Sequence, residues 1–188
     1  LNPDAKLLPG AVQAMIEFAA AHPEAAVIGP KLINSDGTMQ KTGRRFPFLL
    51  REMLGITRAY KLIWNWFDRT MEYGRADFDR TAEVDEICGA CMFVRKAAVD
   101  RVGLLDEQFF MYYEEVDWCR RIKQAGWKVY YLPDAHVMHH WAQAAKQTGL
   151  GGSRIFYRSQ YLYFRKHHGP AQALILRSLS NLLLMVLL

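Results

Sequence analysis

The chain has 188 residues, 51% of them hydrophobic, which is enough to bury one sizeable core and excludes disorder throughout. Its formal net charge of +5 favours anionic partners, such as nucleotide phosphates, nucleic acid or acidic lipid headgroups, without choosing among them. Three cysteines are too few for a disulfide scaffold, and with no signal-peptide pattern at the start they favour a cytoplasmic setting.

The first forty residues predict a helix, a buried strand and a turn. Pro9 is suited to opening a helix, and apolar residues recur at helical spacing until His22-Pro23. Residues 25–29 are a continuous apolar run, as in a buried strand of a parallel or mixed sheet. Residues 34–37 predict a turn between two short extended pieces, because Asp-Gly tolerates a positive φ.

Residues 46–83 are treated as a variable insertion. The part from 46 to 73 is rich in aromatic and aliphatic residues amid several Arg and Lys. It fits an amphipathic helix pair that covers a site or touches a membrane, and equally an excursion that caps the core. The charged residues 75–83 are expected to be exposed.

Residues 86–94 predict one buried strand, and residues 96–102 a short helix that Gly103 ends. Cys88 and Cys91 form a C-x-x-C sequence inside the predicted strand. No second pair follows, so we expect buried structural cysteines rather than a zinc or redox site.

Residues 114–125 predict a helix, with acids in the first turn, basic residues in the last and Gly126 after it. Residues 127–132 predict a strand that ends at Pro133. Just beyond it the chain carries three histidines, His136, His139 and His140.

Three acids, Glu114, Glu115 and Asp117, lie at the start of the predicted helix, directly after the aromatic run 109–113. From this feature alone, compensation of the helix dipole, worth about 0.3–1 kcal/mol for each acid, is the favoured explanation. Alternatively, one is a general base, because an aromatic wall raises the pKa of a shielded carboxyl group. His139 follows one helix and one strand later, a separation that can return it to the same sheet edge. Carboxylate and imidazole together suit Mn²⁺ or Mg²⁺.

Residues 89–140, which read GACMFVRKAAVDRVGLLDEQFFMYYEEVDWCRRIKQAGWKVYYLPDAHVMHH, resemble the acceptor-site core of family 2 glycosyltransferases. In that family a G-A-C-x-x-x-R/K segment precedes a helix with the pattern F-x-Y-x-E-D-x-D-x-C-x-R. Residues 1–4, LNPD, resemble the sequence at the position of the family's D-x-D metal motif, and residues 159–169, SQYLYFRKHHG, resemble its S-x-x-Y-x-x-R-K-H-x-G tail. Bacterial rhamnosyltransferases are the most similar members.

The resemblance implies an α/β fold of the GT-A type with a mixed sheet. Residues 1–168 would form its acceptor-side portion, and the nucleotide-binding front half would precede Leu1. Residues 169–188 would be an apolar C-terminal helix. Because polar residues interrupt this segment, it is marginal for a membrane span, and an interfacial or a buried helix fits at least as well. We expect peripheral attachment to the inner face of the cell membrane.

The resemblance also implies roles for individual residues. Asp4 and His139 would hold the Mn²⁺ or Mg²⁺ that bridges the donor diphosphate. Glu115 stands at the position of the catalytic base, usually Asp in the family, and is preferred to Glu114. Asp117 would orient the acceptor or Arg120. Substrate contacts are assigned to Gly89, Ala90, Trp118, Arg120, Arg154 and Arg158, although Trp118 fits the core equally well and both Arg154 and Arg158 fit membrane contact.

The implied function is inverting transfer of a sugar, rhamnose from dTDP-rhamnose first, to a saccharide or lipid-linked saccharide in cell-surface polysaccharide synthesis, with no nucleic-acid partner. A rival is a non-catalytic module that binds saccharides or nucleotide sugars, in which residues 60–73 stack on sugar rings and the acids only cap a helix. Metal-dependent hydrolysis ranks last, because it needs more protein ligands than the sequence offers.

Overall fold

The computed structural model describes residues 1–40, 42–57, 78–140 and 143–186. Its centre is a six-stranded mixed sheet in which two long strands, β2 (Ala25–Ile33) and β8 (Lys128–His139), run parallel. The short strands are antiparallel to these two: β1 (Ala5–Leu7) and β5 (Ala82–Val84) pair with β8, and β3 (Met39–Gln40) and β7 (Phe93–Val94) pair with β2. A second, two-stranded sheet joins β4 (Gly43–Arg44) to β6 (Glu86–Ile87).

Helices cover both faces of the main sheet. The described residues form α1 (Ala11–Ala21), α2 (Leu49–Thr57), α3 (Lys96–Val102), α4 (Glu114–Gln124), α5 (Gln143–His167) and α6 (Pro170–Val186). Cys119 and Ile122 of α4 pack in one core with Val129. Met15 of α1 packs with Ile28 in another core. Burial on both faces explains why the two parallel strands are apolar runs rather than alternating patterns.

A separate core joins α2, α5 and α6. Tyr163 and Phe164 of α5 are fully buried and pack with Ile56 of α2 and with Ala173 and Leu176 of α6. The C-terminal helix is thus buried along one side. No helix in the described part of the chain is both long enough and apolar enough to cross a membrane.

The early elements confirm the predictions from sequence. The helix after Pro9 is α1, the buried strand is β2, and Gly37 has a φ of 81° in the turn that follows β2. The two later helices are α3, with Gly103 after it, and α4, with Gly126 after it. Of the insertion, residues 49–57 form α2, whereas residues 58–77 lie outside the described part.

The prediction of one strand over residues 86–94 is wrong. The segment forms two short strands in different sheets, because β6 pairs with β4 whereas β7 pairs with β2. At the crossing, a Cβ on Gly29 would collide with the Ile87 side chain, so glycine is required there. The apolar run that predicted a strand contains the turn at residues 89–92.

The prediction that the strand after residue 127 ends at Pro133 is also wrong. Leu132 pairs with Pro30, and the next paired residue, His136, lies opposite Lys31. Residues 133–135 therefore form a bulge, which accommodates a proline inside a paired strand because they have no partner on β2. The strand then resumes and carries His139.

Candidate active site

The chain enters α4 through two strained residues. Tyr112 and Tyr113 have φ angles of 67° and 68°, in the left-handed region that costs a side-chain-bearing residue about 1–3 kcal/mol. Tyr113 Oη donates to Glu52 Oε2 at 3.0 Å, and Gln160 Nε2 donates to the same oxygen at 2.7 Å. These contacts with α2 and α5 hold the turn and fix the direction in which the acids of α4 begin.

Glu115 lies over Gly89. A Cβ on Gly89 would lie 3.5 Å from Glu115 Cβ and 3.8 Å from its Cδ, so glycine keeps the space beside the carboxyl group free. Glu115 Oε2 is buried and has no hydrogen-bond partner among the described residues. Burial raises the pKa of Glu115, although the charge of Arg44 and hydrogen bonds from backbone N–H groups oppose the rise.

Two more acids, buried Glu86 and partly buried Glu114, interact electrostatically with Glu115. Burial and the neighbouring Glu115 raise the pKa of Glu114 to about 7. Glu86, only 3% exposed, has a pKa of about 8, because burial and Glu115 outweigh the charge of Arg44. Each of these two also keeps one buried oxygen without a hydrogen-bond partner in the described part of the chain. We call Glu86, Glu114 and Glu115 the acid cluster.

Glu86 was missed from sequence as a functional residue. It was placed at the start of a buried strand, and a buried carboxyl group without a partner is unfavourable unless it is neutral or meets a ligand. An acid in a predicted buried strand was therefore the feature of the sequence that could have indicated a functional role for Glu86.

A second polar site lies at the sheet edge where β2 and β8 end, the edge at which ligands of open α/β sheets commonly bind. Asp4 Oδ1 lies 3.5 Å from His139 Nε2, and the backbone N–H of His140 donates to the Asp4 carbonyl oxygen at 3.1 Å. We call this pair the Asp4–His139 corner.

A directed chain of hydrogen bonds fixes the tautomer of His139. Thr38 Oγ1 donates to Asp36 Oδ1 at 2.6 Å, since a carboxylate only accepts, and therefore accepts from Asn34 Nδ2 at 2.9 Å. Gln40 Nε2 donates to Asn34 Oδ1 at 2.6 Å, which leaves Gln40 Oε1 to accept from His139 Nδ1 at 2.9 Å. In neutral His139 the Nε2 atom therefore presents its lone pair to Asp4.

The Asp4–His139 corner fits a divalent cation. A carboxylate oxygen and an imidazole lone pair face each other, which is unfavourable unless a cation or proton lies between them. A metal-binding histidine usually donates its other ring N–H to an oxygen acceptor, and Gln40 Oε1 is such an acceptor for His139 Nδ1–H. No group of three or more His, Cys, Asp or Glu able to hold a metal occurs in the described ranges, so phosphate oxygens or water would complete the shell. The ligand roles of Asp4 and His139 stay predictions.

Residues 89–90 connect the two sites. Gly89 lies beneath Glu115, and the Ala90 carbonyl oxygen accepts from the backbone N–H of Asn2 at 2.9 Å. Ala90 also packs with Val137, two residues before His139. A substrate above this segment would border both the acid cluster and the corner.

The chain was compared with known proteins. Residues 9–150 match the family model described as glycosyltransferase like family 2. The chain belongs to this family. Its mixed sheet flanked by helices accordingly represents the GT-A fold, in agreement with the expectation from sequence.

The curated relatives include rhamnosyltransferases. N-acetylglucosaminyl-diphospho-decaprenol L-rhamnosyltransferase of Mycobacterium tuberculosis is 30% identical over 168 residues, 89% of this chain and 54% of the relative. Rhamnosyltransferase WbbL of Escherichia coli is 39% identical over 101 residues, 52% of this chain and 34% of the relative. The dTDP-rhamnosyl transferase RfbF of Shigella flexneri is 31% identical over 87 residues, which are 41% of this chain and 29% of the relative. The chain thus spans about half the length of the first of these.

The structure corrects the role of one acid of this family 2 chain. Asp117 is fully buried and contacts Arg121 Nε at 2.8 Å, Lys166 Nζ at 2.8 Å and His167 Nε2 at 2.7 Å. Burial favours the neutral acid, but these hydrogen bonds outweigh it and hold the pKa of Asp117 well below its usual range. Asp117 therefore joins α4 to α5. These partners do not include Arg120, so that part of the expectation is wrong, whereas orientation of the acceptor stays a prediction.

The residues assigned to substrate contact separate into different places. Trp118 is 9% exposed, packs in the core under α4 and donates its Nε1–H to the Gly103 carbonyl at 2.8 Å, which favours its structural interpretation. Arg120 binds Tyr163 Oη at 2.9 Å and His168 Nε2 at 2.8 Å. Gly89 lies beside Glu115, whereas Ala90 is buried against Val137, and the substrate role of both residues stays a prediction.

Arg154 and Arg158 line a groove between α5 and α6 whose walls include neither the acid cluster nor the Asp4–His139 corner. Cys88 and Cys91 are free thiols, and burial raises the pKa of both, which disfavours the thiolate that zinc and redox chemistry need.

Proposed function

We propose that the chain forms the acceptor side of an inverting glycosyltransferase. It transfers a sugar, with rhamnose the first candidate, from a nucleotide-diphosphate donor to a saccharide or lipid-linked saccharide acceptor in cell-surface polysaccharide synthesis. The protein acts at the cytoplasmic face of the cell membrane. The supporting observation is the Glu115 carboxyl group, buried, lacking a partner on Oε2, and set over the glycine floor at Gly89.

The chemistry that suits this arrangement is a single displacement. Glu115 accepts the proton of the acceptor hydroxyl as its oxygen forms a bond to the anomeric carbon of the donor sugar. The bond from that carbon to the diphosphate oxygen breaks, and the nucleoside diphosphate leaves with the bonding electrons. A single in-line displacement inverts the anomeric configuration.

The raised pKa of Glu115 helps this step, because a carboxylate with a higher pKa is a stronger base. Mn²⁺ or Mg²⁺, held by Asp4 and His139, would neutralise the charge that develops on the leaving diphosphate. The acid cluster stands apart from that charge, so the proton acceptor and the leaving group are served by different parts of the site.

The relatives support the choice of substrates. Their names specify rhamnose, in one case a dTDP-rhamnosyl donor and in another an acceptor with a diphospho-decaprenol lipid. Because those relatives are about twice as long as the matched region or longer, donor and acceptor for this chain are proposals.

Sugar transfer by the purified protein to a membrane extract tests the proposal, with labelled dTDP-rhamnose and a panel of other nucleotide sugars. The variant Glu115→Gln and an EDTA-treated sample are measured in parallel, and the anomeric configuration of the product is determined. We expect inverted product that needs the metal and disappears in the variant. Binding of a donor without turnover of any donor would instead identify a non-catalytic saccharide- or nucleotide-sugar-binding module.

A further inference from the structure

The excess of positive over negative charge in the chain arises in its last 54 residues. Residues 1–134 carry 18 Lys or Arg against 19 Asp or Glu, whereas residues 135–188 carry six Lys or Arg and no acid. Most of this second segment forms the antiparallel pair α5 and α6. The excess charge of the chain therefore belongs to one structural unit rather than being scattered.

Three of those cations meet in one place. A groove of about 740 Å³ between α5 and α6 is lined by Arg154, Arg158 and Arg177. The rest of its lining is uncharged and largely apolar or aromatic: Tyr157, Tyr161, Leu162, Ser180, Asn181, Leu184 and Met185. In the described part of the chain none of the three arginines forms an ion pair with an acid, and Arg177 lies 5.0 Å from the centre of the Tyr161 ring.

An apolar ridge runs along α6 beside this groove. Leu174, Ile175, Leu182 and Met185 are 53%, 43%, 57% and 67% exposed, although α6 buries Ala173 and Leu176 on its opposite side. Helical geometry places these four side chains on one outward face, next to the face that carries Arg177. An exposed apolar ridge flanked by arginines is typical of a helix that lies in a membrane interface.

We propose that the α5–α6 pair docks the protein on a bilayer that contains anionic phospholipid. The three groove arginines bind lipid phosphate groups, and the apolar ridge inserts among the upper acyl carbons. Charge complementarity selects this occupant, because the helix pair presents cations and no acid to whatever lies against it. The proposal takes its membrane setting from the proposed function, but its test requires no sugar transfer.

Cosedimentation with vesicles tests the docking surface. The purified protein is mixed with phosphatidylcholine vesicles, with or without about 30% phosphatidylglycerol, at about 50 mM and about 500 mM salt, conditions that bracket strong and weak screening. We expect binding to the anionic vesicles at low salt and little binding to the neutral ones. Substituting Arg154, Arg158 and Arg177 together with Gln should weaken binding about 100-fold, since each cation near such a surface contributes about fivefold.

A matched variant separates the groove from net charge. Arg80, Lys96 and Arg101 are exposed cations outside the helix pair, and their joint replacement with Gln removes the same three charges. This variant should keep most of the vesicle binding, and thermal melts should show both triple variants folded. Equal losses in the two variants would overturn the proposal in favour of general electrostatic attraction.

Two further results test the nature of the ligand. Leu182→Ser should weaken binding to anionic vesicles without lowering the melting temperature, because the side chain is exposed. If inorganic diphosphate binds the groove and displaces the protein from vesicles at micromolar concentration, the groove is a site for a soluble anion and the membrane proposal is wrong. If the protein bound anionic vesicles but transferred no sugar, the proposed function would be wrong and the docking proposal would stand.

Discussion

The Asp4–His139 corner and the acid cluster use similar polar groups but satisfy them differently. In the corner, hydrogen bonds are donated in one direction, which starts at His139 and ends at the Asp36 carboxylate after passing through Gln40, Asn34 and Thr38. In the acid cluster each carboxyl group keeps one buried oxygen without a partner in the described part of the chain. The corner is therefore arranged to fix one orientation, and the cluster to keep its carboxyl groups available.

This difference has a chemical meaning. A metal ligand must present its lone pair in a fixed direction, and saturated neighbours provide that. A general base must exchange a proton, and a carboxyl group with a raised pKa and an open oxygen suits that role. Asp117, two residues after Glu115 on the same helix, shows the alternative, because three hydrogen-bonded partners hold its pKa low and occupy it.

The largest expected effect is at Glu115. Glu115→Gln should lower kcat about 10³-fold, in line with the usual contribution of a general base, and leave the melting temperature nearly unchanged. Asp117→Asn is the contrasting control. It should lower the free energy of unfolding by about 2 kcal/mol, because it weakens the charge-assisted hydrogen bonds of a buried carboxylate to Arg121 and Lys166. If both variants lost stability and neither specifically lost kcat, the assignment of different roles to these acids would be wrong.

The next effect concerns Gln40. Gln40→Ala removes the acceptor that keeps the hydrogen on His139 Nδ1, and we expect the affinity for Mn²⁺ to fall 10- to 100-fold, as is usual for such partners. Free Mn²⁺ is measured by electron paramagnetic resonance in the presence of a nucleoside diphosphate. Gln13→Ala on α1, where the amide contacts only Glu17 among the described residues, should change nothing. An unchanged Mn²⁺ affinity in Gln40→Ala would show that the hydrogen-bond chain does not serve a metal.

A third effect is the pH dependence of stability that Glu86 causes. Its pKa is about 8 in the folded protein and near the ordinary 4.5 in the unfolded chain. Stability that depends on its proton is fully present below about pH 4.5 and is lost as the pH rises through about 8. Glu86→Gln cannot ionise, so it should be more stable than the original protein at high pH, with a smaller difference at low pH.

Urea unfolding at several pH values measures this difference. A gain for the variant that was independent of pH would contradict the raised pKa of Glu86, and so would a gain that was larger in acid.

The smallest effect is expected from Glu114. Its negative charge disfavours ionisation of Glu115, so Glu114→Gln should lower the pKa of Glu115. Because the base must be ionised, the acid limb of the kcat–pH profile should move to lower pH by less than about one unit. Activity at high pH should change less than about tenfold. A shift of this limb to higher pH would show that the two carboxyl groups are not coupled as described.

The sequence predicted the elements whose signals are local. Helix α4 has acids at its start, basic residues at its end and a glycine after it, and α3 ends at a glycine with a φ of 80°. The sequence also offered two possible helical partners for Asp117. Arg121, its partner in the structure, is four residues away, and Arg120 is three residues away. Both spacings are compatible with contact on a helix, and in the structure Arg120 binds Tyr163 and His168 instead.

Long-range contacts could not be predicted in this way. The turn at Gly89 was hidden because its neighbours are as apolar as those of a strand, and it is explained by the pairing of β6 with β4 rather than by its own residues. Gln40 occurs as an ordinary polar residue near a turn, and only the fold brings it to a histidine 99 positions later. The pairing of Asp4 with His139 was implied by the family resemblance, and no spacing in the sequence indicates it.

The bulge at residues 133–135 changes how the end of β8 is aligned with β2. Leu132 and His136 are four residues apart on β8 but lie opposite neighbouring residues of β2, so pairing with β2 rather than strict alternation sets the face of each later side chain. With three unpaired residues, Val137 and His139 are both buried, on the side that meets the Ala90 segment and Asp4. A deletion in the bulge that keeps His136 opposite Lys31 would therefore leave His139 facing Asp4, whereas a shift of this pairing by one residue would turn His139 away without altering either residue.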